Sequence, residues 1–345
     1  MSARRLTGAT IAPPMVEEFG FDPTHGYRLA ELLEVGAPDE PDDFGAFWSG
    51  ILAEAQALDI AIGLGPWAPL DGSPGTEVAD LYFQSLDGVW IGGWVTRPIG
   101  AAAAGSESVT RGFVVGHGYG GRDAPRSADT PPDAVAVFPV ARGLPTRSEV
   151  TGVGGETGVD HVLWGIRSPR EYSHVGSVVD MWMAARALCR LFPGVGRAVY
   201  IGGSFGGGIG ALALAFGDVF SAGVLEVPSF GNHPLRVSVP STGSAGRVRA
   251  YLGQHPEAMQ TLRYADAATA ALRVTVPVLV LPALADPSVP SPGQFAVANA
   301  LAGPTWMHVL PHGHCAGGDG CETAGRAEAV AEFLAVILNA APIDR

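Results

Sequence analysis

The chain contains no lysine. All 21 of its basic residues are arginine, and they stand against 34 acidic residues, so the net charge is −13. Without lysine, the protein has no Schiff-base chemistry, no Ser-Lys catalytic pair and no P-loop lysine. The negative charge repels polyanions and anionic lipid surfaces. We therefore expect neither nucleic acid nor a membrane as a partner.

Cysteines and long apolar runs are also scarce. Three cysteines are too few for a disulfide framework, although Cys315 and Cys321 are near enough in sequence to close one short loop. The first residues have no apolar core of a secretory signal. The longest apolar stretch, 274–285, contains two prolines and is shorter than the roughly 20 residues that cross a bilayer. The sequence thus predicts a cytoplasmic protein.

The order of apolar segments predicts an α/β fold with a mostly parallel central sheet flanked by helices. Segments 79–83 and 89–95 flank an Asp-Gly turn and predict an antiparallel hairpin. Beyond them, short β-branched runs alternate with longer helical stretches, as in βαβ units. The predicted buried strands are 112–115, 134–140, 198–201, 222–227, 276–281 and 306–310, and the predicted helices include 43–58, 177–192 and 209–215.

Two regions depart from this alternation. Residues 1–75 are punctuated by proline, and we interpret them as an N-terminal extension packed on a main domain of residues 76–345. Residues from about 230 to 272 separate two predicted strands without adding one. A loop-plus-helix insertion at that place overhangs the strand ends. It is therefore expected to act as a lid that shapes the substrate site.

The most specific motif is the G-x-S-x-G segment 202–206, which lies between a predicted buried strand and an apolar helix. A strand, a tight turn and a helix in this order are typical of a nucleophile elbow. Gly202 and Gly206 let strand and helix approach closely, while Ser204 is raised above the sheet edge. We therefore predict that Ser204 is a nucleophile.

A serine nucleophile needs a base and an orienting carboxylate, which follow it in the order acid and then histidine in this type of site. Asp286 and His314 both come just after predicted buried strands, where ligands gather in open α/β sheets. His312 also fits as the base, and Asp218 and Asp266 compete weakly for the acid. We prefer Asp286 and His314.

A carbonyl that this serine attacks also needs N–H donors for the oxyanion that forms on it. The amide of Phe205, at the start of the helix after Ser204, is one candidate. The glycine-rich segment 116–121 supplies the second, the amide of Tyr119, and the rings of Tyr119 and Phe205 are available to wall an acyl pocket. His117 is expected to brace the loop.

A metal site is not expected. His312, His314, Cys315 and Cys321 lie close together in sequence, but their spacing matches no common zinc pattern.

With these residues placed, the chain resembles the acetyl xylan esterase and cephalosporin C deacetylase family, carbohydrate esterase family seven, of the α/β-hydrolase superfamily. The resemblance runs from about residue 40 to the C-terminus. It is carried by segments 41–44, 47–48, 87–88, 92–94, 97–98, 117–122, 202–208 and 286–290.

The resemblance implies an α/β-hydrolase fold in which Ser204, Asp286 and His314 form the catalytic triad. It implies that the amides of Tyr119 and Phe205 donate to the oxyanion. The implied activity is deacetylation of small acetylated sugars or related esters. The resemblance further implies that no cofactor is needed and that the chain forms a homo-oligomer.

The chain departs from the family pattern at three places. Arg142 and Gly143 are followed by Leu-Pro in place of Gln-Gly, Phe205 replaces a common glutamine after the nucleophile, and Cys315 replaces an acid after the histidine. These changes leave the backbone amides available but alter the polar contacts of the pocket.

Two alternatives to the acetyl esterase stay open. One is a longer-chain carboxylesterase or acyltransferase, which Phe205 and the apolar lid favour slightly. The other is a non-catalytic α/β-hydrolase scaffold that binds a ligand or a partner.

Overall fold

A twelve-stranded sheet runs through the part of the chain that the computed structural model describes, residues 4–11, 19–101, 108–126, 130–150, 159–314 and 325–339. Cys315 and Cys321 lie outside these residues, and so does the predicted short loop that they would close. The strands are β1 (Arg4–Gly8), β2 (Ile62–Leu64), β3 (Ala68–Pro69), β4 (Thr76–Gln84), β5 (Trp90–Pro98), β6 (Gly112–Val115), β7 (Val135–Pro139), β8 (Ala198–Gly203), β9 (Phe220–Glu226), β10 (Val278–Leu281), β11 (Ala283–Ala285) and β12 (Thr305–His312).

The sheet is mixed and mostly parallel, as predicted. The strand order is β1-β12-β10-β9-β8-β6-β7-β5-β4-β2, with β11 paired to β12 and β3 paired to β4. All neighbours from β1 to β7 in this order are parallel, whereas β7, β5, β4 and β2 pair antiparallel. Asp87 (φ 62°) and Gly88 (φ 74°) form the left-handed turn between β4 and β5, which confirms the predicted hairpin.

Helices pack on both faces of this sheet. They are α1 (Leu29–Leu32), α2 (Phe44–Ala57), α3 (Ser173–Leu191), α4 (Phe205–Ala215), α5 (His233–Ser238), α6 (Ser244–Leu252), α7 (Met259–Tyr264), α8 (Ala267–Ala271), α9 (Ser291–Ala300) and α10 (Arg326–Asn339). Helix α3 packs on β6 and β7, and α4 packs on β8 and β9. Helix α10 contacts β10 and β12. None of the helices in the described residues is long and apolar enough to cross a membrane.

The N-terminal residues add to both ends of the sheet. Strand β1 pairs with β12 at one edge, while β2 and β3 pair with β4 near the other. Helix α2 buries Trp48, whose indole N–H donates to the carbonyl of Tyr264 and whose ring meets that of Trp182 edge-on. The sequence did not indicate β1, because a five-residue strand with polar residues has no clear period. The division at residue 75 stays a prediction.

The segment 230–272 contains the four short helices α5 to α8, where the sequence predicted a loop and a helix. Helix α8 packs against α4 and α9, so this segment is joined to the core next to the elbow. The four helices are each short, and short helices give too few residues for a periodic apolar pattern. The predicted role as a lid stays a prediction.

A buried ion pair connects α3 to the loop after β7. The guanidinium of Arg142 donates to both carboxylate oxygens of Asp180, at 2.5 and 2.8 Å, and Ser85 donates to the same carboxylate at 2.6 Å. Asp180 and Ser85 are fully buried, and a side chain at Gly176 would overlap the guanidinium. Arg142, which stands just before the Leu-Pro departure from the family pattern, is thus part of the core.

We predict that Asp180→Asn lowers the free energy of unfolding by about 3–5 kcal/mol, because it leaves the charge of Arg142 buried without its partner. Chemical denaturation measures the change. Asp59→Asn, which removes an exposed carboxylate paired with Arg190, is the matched control and is expected to change stability far less. Equal losses in the two variants would contradict the prediction.

Candidate active site

The G-x-S-x-G segment forms a tight turn between β8 and α4. Ser204 lies between them with φ 54° and ψ −115°, a conformation that non-glycine residues rarely adopt. A Cβ at Gly202 would lie 2.6 Å from the carbonyl oxygen of Gly206, and one at Gly206 would lie 2.9 Å from that of His117. Gly202 is therefore required for the close approach of β8 to α4, and Gly206 for the close approach of the loop after β6 to α4.

Hydrogen bonds hold Ser204 in this conformation. Its N–H donates to the carbonyl of Glu226 at 2.9 Å, and its own carbonyl accepts from the N–H of Ser229 at 3.0 Å. The buried hydroxyl of Tyr200 donates to the carbonyl of Gly206 at 2.7 Å, which ties β8 to α4. A strained backbone persists only where its surroundings determine it, and here strand β9 and helix α4 do so.

The structure brings Ser204, Asp286 and His314 together. Nε2 of His314 lies 3.1 Å from Oγ of Ser204, and Nδ1 lies 2.9 and 3.1 Å from the two carboxylate oxygens of Asp286. A carboxylate only accepts, so Nδ1 carries the proton and Nε2 is left as an acceptor for the serine hydroxyl. His312, the other candidate, is the last residue of β12 and pairs with Ala285 in register.

Asp286 is fully buried, and its carboxylate is held by several donors. The N–H groups of Ser288 and Val289 donate to Oδ1 at 2.9 Å, and the side-chain amide of Gln294 donates to Oδ2 at 2.9 Å. A Cβ at Gly313 would overlap Oδ2, so only glycine allows the chain to pass on to His314. These contacts fix the orientation of the carboxylate.

Gln294 was missed by the sequence analysis. It lies in the first turn of α9, and its Oε1 accepts the N–H of Ala283 at 2.8 Å while its amide reaches Asp286. A glutamine in a helix carries no signal of such a role, because the contact arises only when α9 folds back on β11.

The competing carboxylates have other environments. Asp266 is buried and accepts N–H groups of Asn232 and His233 together with two at the start of α8. Burial raises its pKa to about 6 against these hydrogen bonds, which lower it. Asp266 thus caps α8. Asp218 is exposed in the turn before β9.

The loop after β6 passes beside Ser204. A Cβ at Gly118 would lie 3.6 Å from Cβ of Ser204, and the N–H of Gly206 donates to the carbonyl of His117 at 3.0 Å. A hydrogen bond from the N–H of Gly121 to the carbonyl of Gly118 closes the turn, and the N–H of Tyr119 takes no part in it. Phe205 is the first residue of α4, so its N–H has no acceptor within its helix.

His117 braces this loop, as predicted. Its Nδ1 donates to the carbonyl of Gly118 at 2.7 Å, and its Nε2 accepts the N–H of Ala141 at 2.9 Å. Burial lowers the pKa of His117 to about 4. The ring is therefore neutral at physiological pH and is engaged at both nitrogens.

An aromatic wall closes one side of the elbow. The ring of Tyr119 lies 4.5 Å from that of Phe205 and 6.4 Å from that of Phe230, measured between centroids. The Tyr119 hydroxyl shares a 3.0 Å hydrogen bond with Nε2 of His174. Burial raises the pKa of Tyr119 well above its ordinary value and lowers that of His174 well below. Both groups are neutral. The buried guanidinium of Arg236 lies 5.2 Å from the centre of the Phe230 ring, so a cation packs against this wall.

A cavity of about 1120 Å³ opens on the other side of Ser204. His314 lines it, together with Glu226 at the end of β9 and Arg326 at the start of α10. These last two form an ion pair of 2.6 Å, and each is half-buried.

The pKa of His314 reflects opposing effects. Burial lowers it, but the adjacent carboxylate of Asp286, by charge and hydrogen bond, and the charge of Glu226 raise it, and the net pKa lies above the ordinary 6.5. Among the described residues, no group of three or more His, Cys, Asp or Glu side chains is placed to hold a metal ion.

The mostly parallel sheet, the elbow serine and the hydrogen-bonded histidine and carboxylate define a protein of the α/β-hydrolase superfamily. Residues 28–327 match the sequence model of the acetyl xylan esterase family. The chain belongs to that family, and it is therefore a carboxylic ester hydrolase.

Solved structures with this fold include two acetyl xylan esterases. That of Paenibacillus sp. R4 is 22% identical with a TM-score of 0.77, and acetyl xylan esterase 1 of Thermoanaerobacterium sp. JW/SL YS485 is 21% identical with 0.73. Each comparison covers 90% of this chain and 99% of the other. An acylaminoacyl peptidase of Pyrococcus horikoshii is 18% identical with a TM-score of 0.59 over 79% of this chain and 44% of the other.

We predict that Glu226→Gln lowers the pKa of His314. The substitution removes one of the charges that raise this pKa, and the nearby charge of Arg326 is then no longer balanced by Glu226. NMR titration of the histidine ring measures the shift. Glu332→Gln, which removes a carboxylate of α10 paired with Arg5, is the control and is expected to leave the value unchanged. An unchanged pKa in Glu226→Gln would refute the electrostatic account.

Proposed function

We propose that the protein is a serine esterase that removes small acyl groups, acetyl above all, from esters through an acyl-enzyme. The observation that carries this proposal is the hydrogen-bonded series from Ser204 through His314 to the buried Asp286 at a strained strand-to-helix turn. Membership of the acetyl xylan esterase family supports the same chemistry.

In the proposed mechanism, Ser204 attacks the ester carbonyl while Nε2 of His314 takes the hydroxyl proton. Asp286 holds the imidazole with its proton on Nδ1 and stabilises the imidazolium that forms. The N–H groups of Tyr119 and Phe205 donate to the oxyanion. His314 then gives its proton to the departing alkoxide. A water molecule, deprotonated by His314, releases the acyl group from Ser204.

The close-packed wall of Tyr119, Phe205 and Phe230 supports a small acyl group. The proposed oxyanion donors are the amides of Tyr119 and Phe205, and we propose that the acyl group lies against the rings of the same two residues. An apolar wall suits a methyl group. A longer acyl chain would have to displace the buried rings, because they are densely packed.

Acetylated sugars or related compounds are the proposed substrates, since two similar structures are named as acetyl xylan esterases. We also propose a homo-oligomer with no cofactor, on the resemblance to the family.

We predict that Ser204→Ala lowers kcat/KM for p-nitrophenyl acetate by about 10⁴-fold or more, since loss of the nucleophile removes the covalent route. It should also abolish labelling by a fluorophosphonate probe. Ser221→Ala, at a serine of β9 whose hydroxyl donates to Ala198, is the matched control and should keep both. Equal turnover by wild type and Ser204→Ala would end the proposal, and an unlabelled wild type would favour a binding scaffold.

A second prediction separates the acetyl esterase from a longer-chain carboxylesterase or acyltransferase. Along p-nitrophenyl acetate, butyrate and octanoate, kcat/KM should fall steeply. Phe205→Ala opens the wall but keeps the backbone amide, and it should reduce the acetate-to-butyrate ratio about tenfold. A wild-type preference for octanoate, or acyl transfer to an added alcohol in excess of hydrolysis, would favour the alternative.

A further inference from the structure

The segment 230–272 buries an arginine behind the aromatic wall. Arg236, in α5, is 1% exposed, and its guanidinium carbon lies 5.2 Å from the centre of the Phe230 ring. Burial lowers the pKa of Arg236 to about 10, so the guanidinium is charged at physiological pH. A charge that has been removed from water needs compensation from its surroundings.

The side chains around Arg236 supply little of that compensation. Its Nη2 donates to the hydroxyl of Ser244 at 2.7 Å, but Nε and Nη1 have no hydrogen-bond acceptor in the parts of the chain that the structure describes. The ring face of Phe230 attracts a cation, but this contact is weaker than the hydration that a buried guanidinium loses. Two donor nitrogens of a buried cation are therefore left for a ligand.

A second buried arginine shows how this protein compensates such a charge elsewhere. Arg142 donates to both carboxylate oxygens of Asp180. The carboxylate whose charge acts on Arg236 is that of Asp266, but its oxygens accept the N–H groups of residues 232, 233, 268 and 269 and not those of the guanidinium. Arg236 therefore lacks the direct carboxylate partner that Arg142 has.

The other ionisable groups that interact with Arg236 are neutral. Burial raises the pKa values of Tyr119 and Tyr172 above their ordinary values. Burial lowers the pKa values of His174 and His233 well below 6.5, and the charge of Arg236 lowers them further. These four side chains thus add no negative charge beside the guanidinium.

The start of α3 adds positive potential to the same place. This helix is 19 residues long, Tyr172 is its N-cap, and no side chain caps it. The positive end of its dipole therefore lies at Tyr172 and His174. Nδ1 of His174 also has no hydrogen-bond partner among the described residues. When the Tyr119 hydroxyl donates to Nε2 of His174, Nδ1 carries the proton and is a further donor without an acceptor.

We propose that Arg236 binds a halide ion, chloride in the cell, between α5, the start of α6 and the start of α3. One guanidinium balances one negative charge, and Nε and Nη1 donate to the ion. The ring centroids of His174 lie 4.0 Å from Phe230 and 4.3 Å from Tyr172, and such close packing suits a monatomic ion. The ion joins the first two helices of segment 230–272 to the core behind the aromatic wall.

Thermal unfolding tests this site. The wild-type protein is dialysed into sodium gluconate, a salt with a bulky anion, and chloride then replaces gluconate at constant ionic strength. We expect Tm to rise saturably, by about 3–4 °C at a chloride concentration a hundredfold above Kd. An unchanged Tm overturns the inference. A rise with sodium acetate and none with chloride also overturns it, because the ligand is then a carboxylate.

Two substitutions locate the effect. Arg236→Met removes the charge and keeps an apolar stem, so it should lose the rise of Tm with chloride. Arg190→Met removes an exposed arginine that is paired with Asp59, and as the matched control it should keep the full rise. An equal rise in Arg236→Met and the wild type overturns the inference.

Bromide locates the ion without any substitution, and this measurement decides the case if Arg236→Met does not fold. Wild-type crystals soaked in sodium bromide should show an anomalous difference peak within hydrogen-bond distance of Nε or Nη1 of Arg236. A water molecule there with no anomalous peak overturns the inference. None of these measurements uses ester hydrolysis, so their outcome is independent of the proposed esterase function.

Discussion

The close approach of β8 to α4 is the constraint on which the rest of the site depends. There is no room for a side chain at Gly202, between strand and helix, or at Gly206, between the helix and the loop after β6, and Tyr200 ties β8 to α4. This contact forces Ser204 into a left-handed conformation and presents the first amide of α4 beside its hydroxyl. The loop after β6 is bound to the same turn through Gly206. One packing contact therefore positions the serine and both proposed oxyanion donors.

The carboxylate side of the site depends on distant parts of the chain. The N–H of Asp286 donates to the carbonyl of Pro23, and its carboxylate accepts a hydrogen bond from Gln294 at the start of α9. His25 of the same N-terminal segment contacts the carbonyl of Pro240 in the 230–272 segment. The extension thus supports the site as well as the sheet edges. These contacts orient the carboxylate for its proposed role beside His314.

The two sides of Ser204 differ in packing. On one side, the rings of Tyr119, Phe205 and Phe230 are closely packed. On the other, a cavity begins beside the Glu226 and Arg326 ion pair, and charged, polar and apolar side chains line it. The packed side is the one proposed to hold the small acyl group.

Sequence alone determined the elements whose signals are local. The elbow at 202–206, the hairpin turn at Asp87, and the buried strands show in residue types and periods, because glycine conformation and β-branched runs act over a few residues. Only the tertiary structure decided between His314 and His312, because the choice depends on where β12 ends relative to Asp286. It also supplied Gln294, strand β1 and the cavity. These arise from contacts between residues far apart in the chain, and the local sequence around each carries no record of its distant partner.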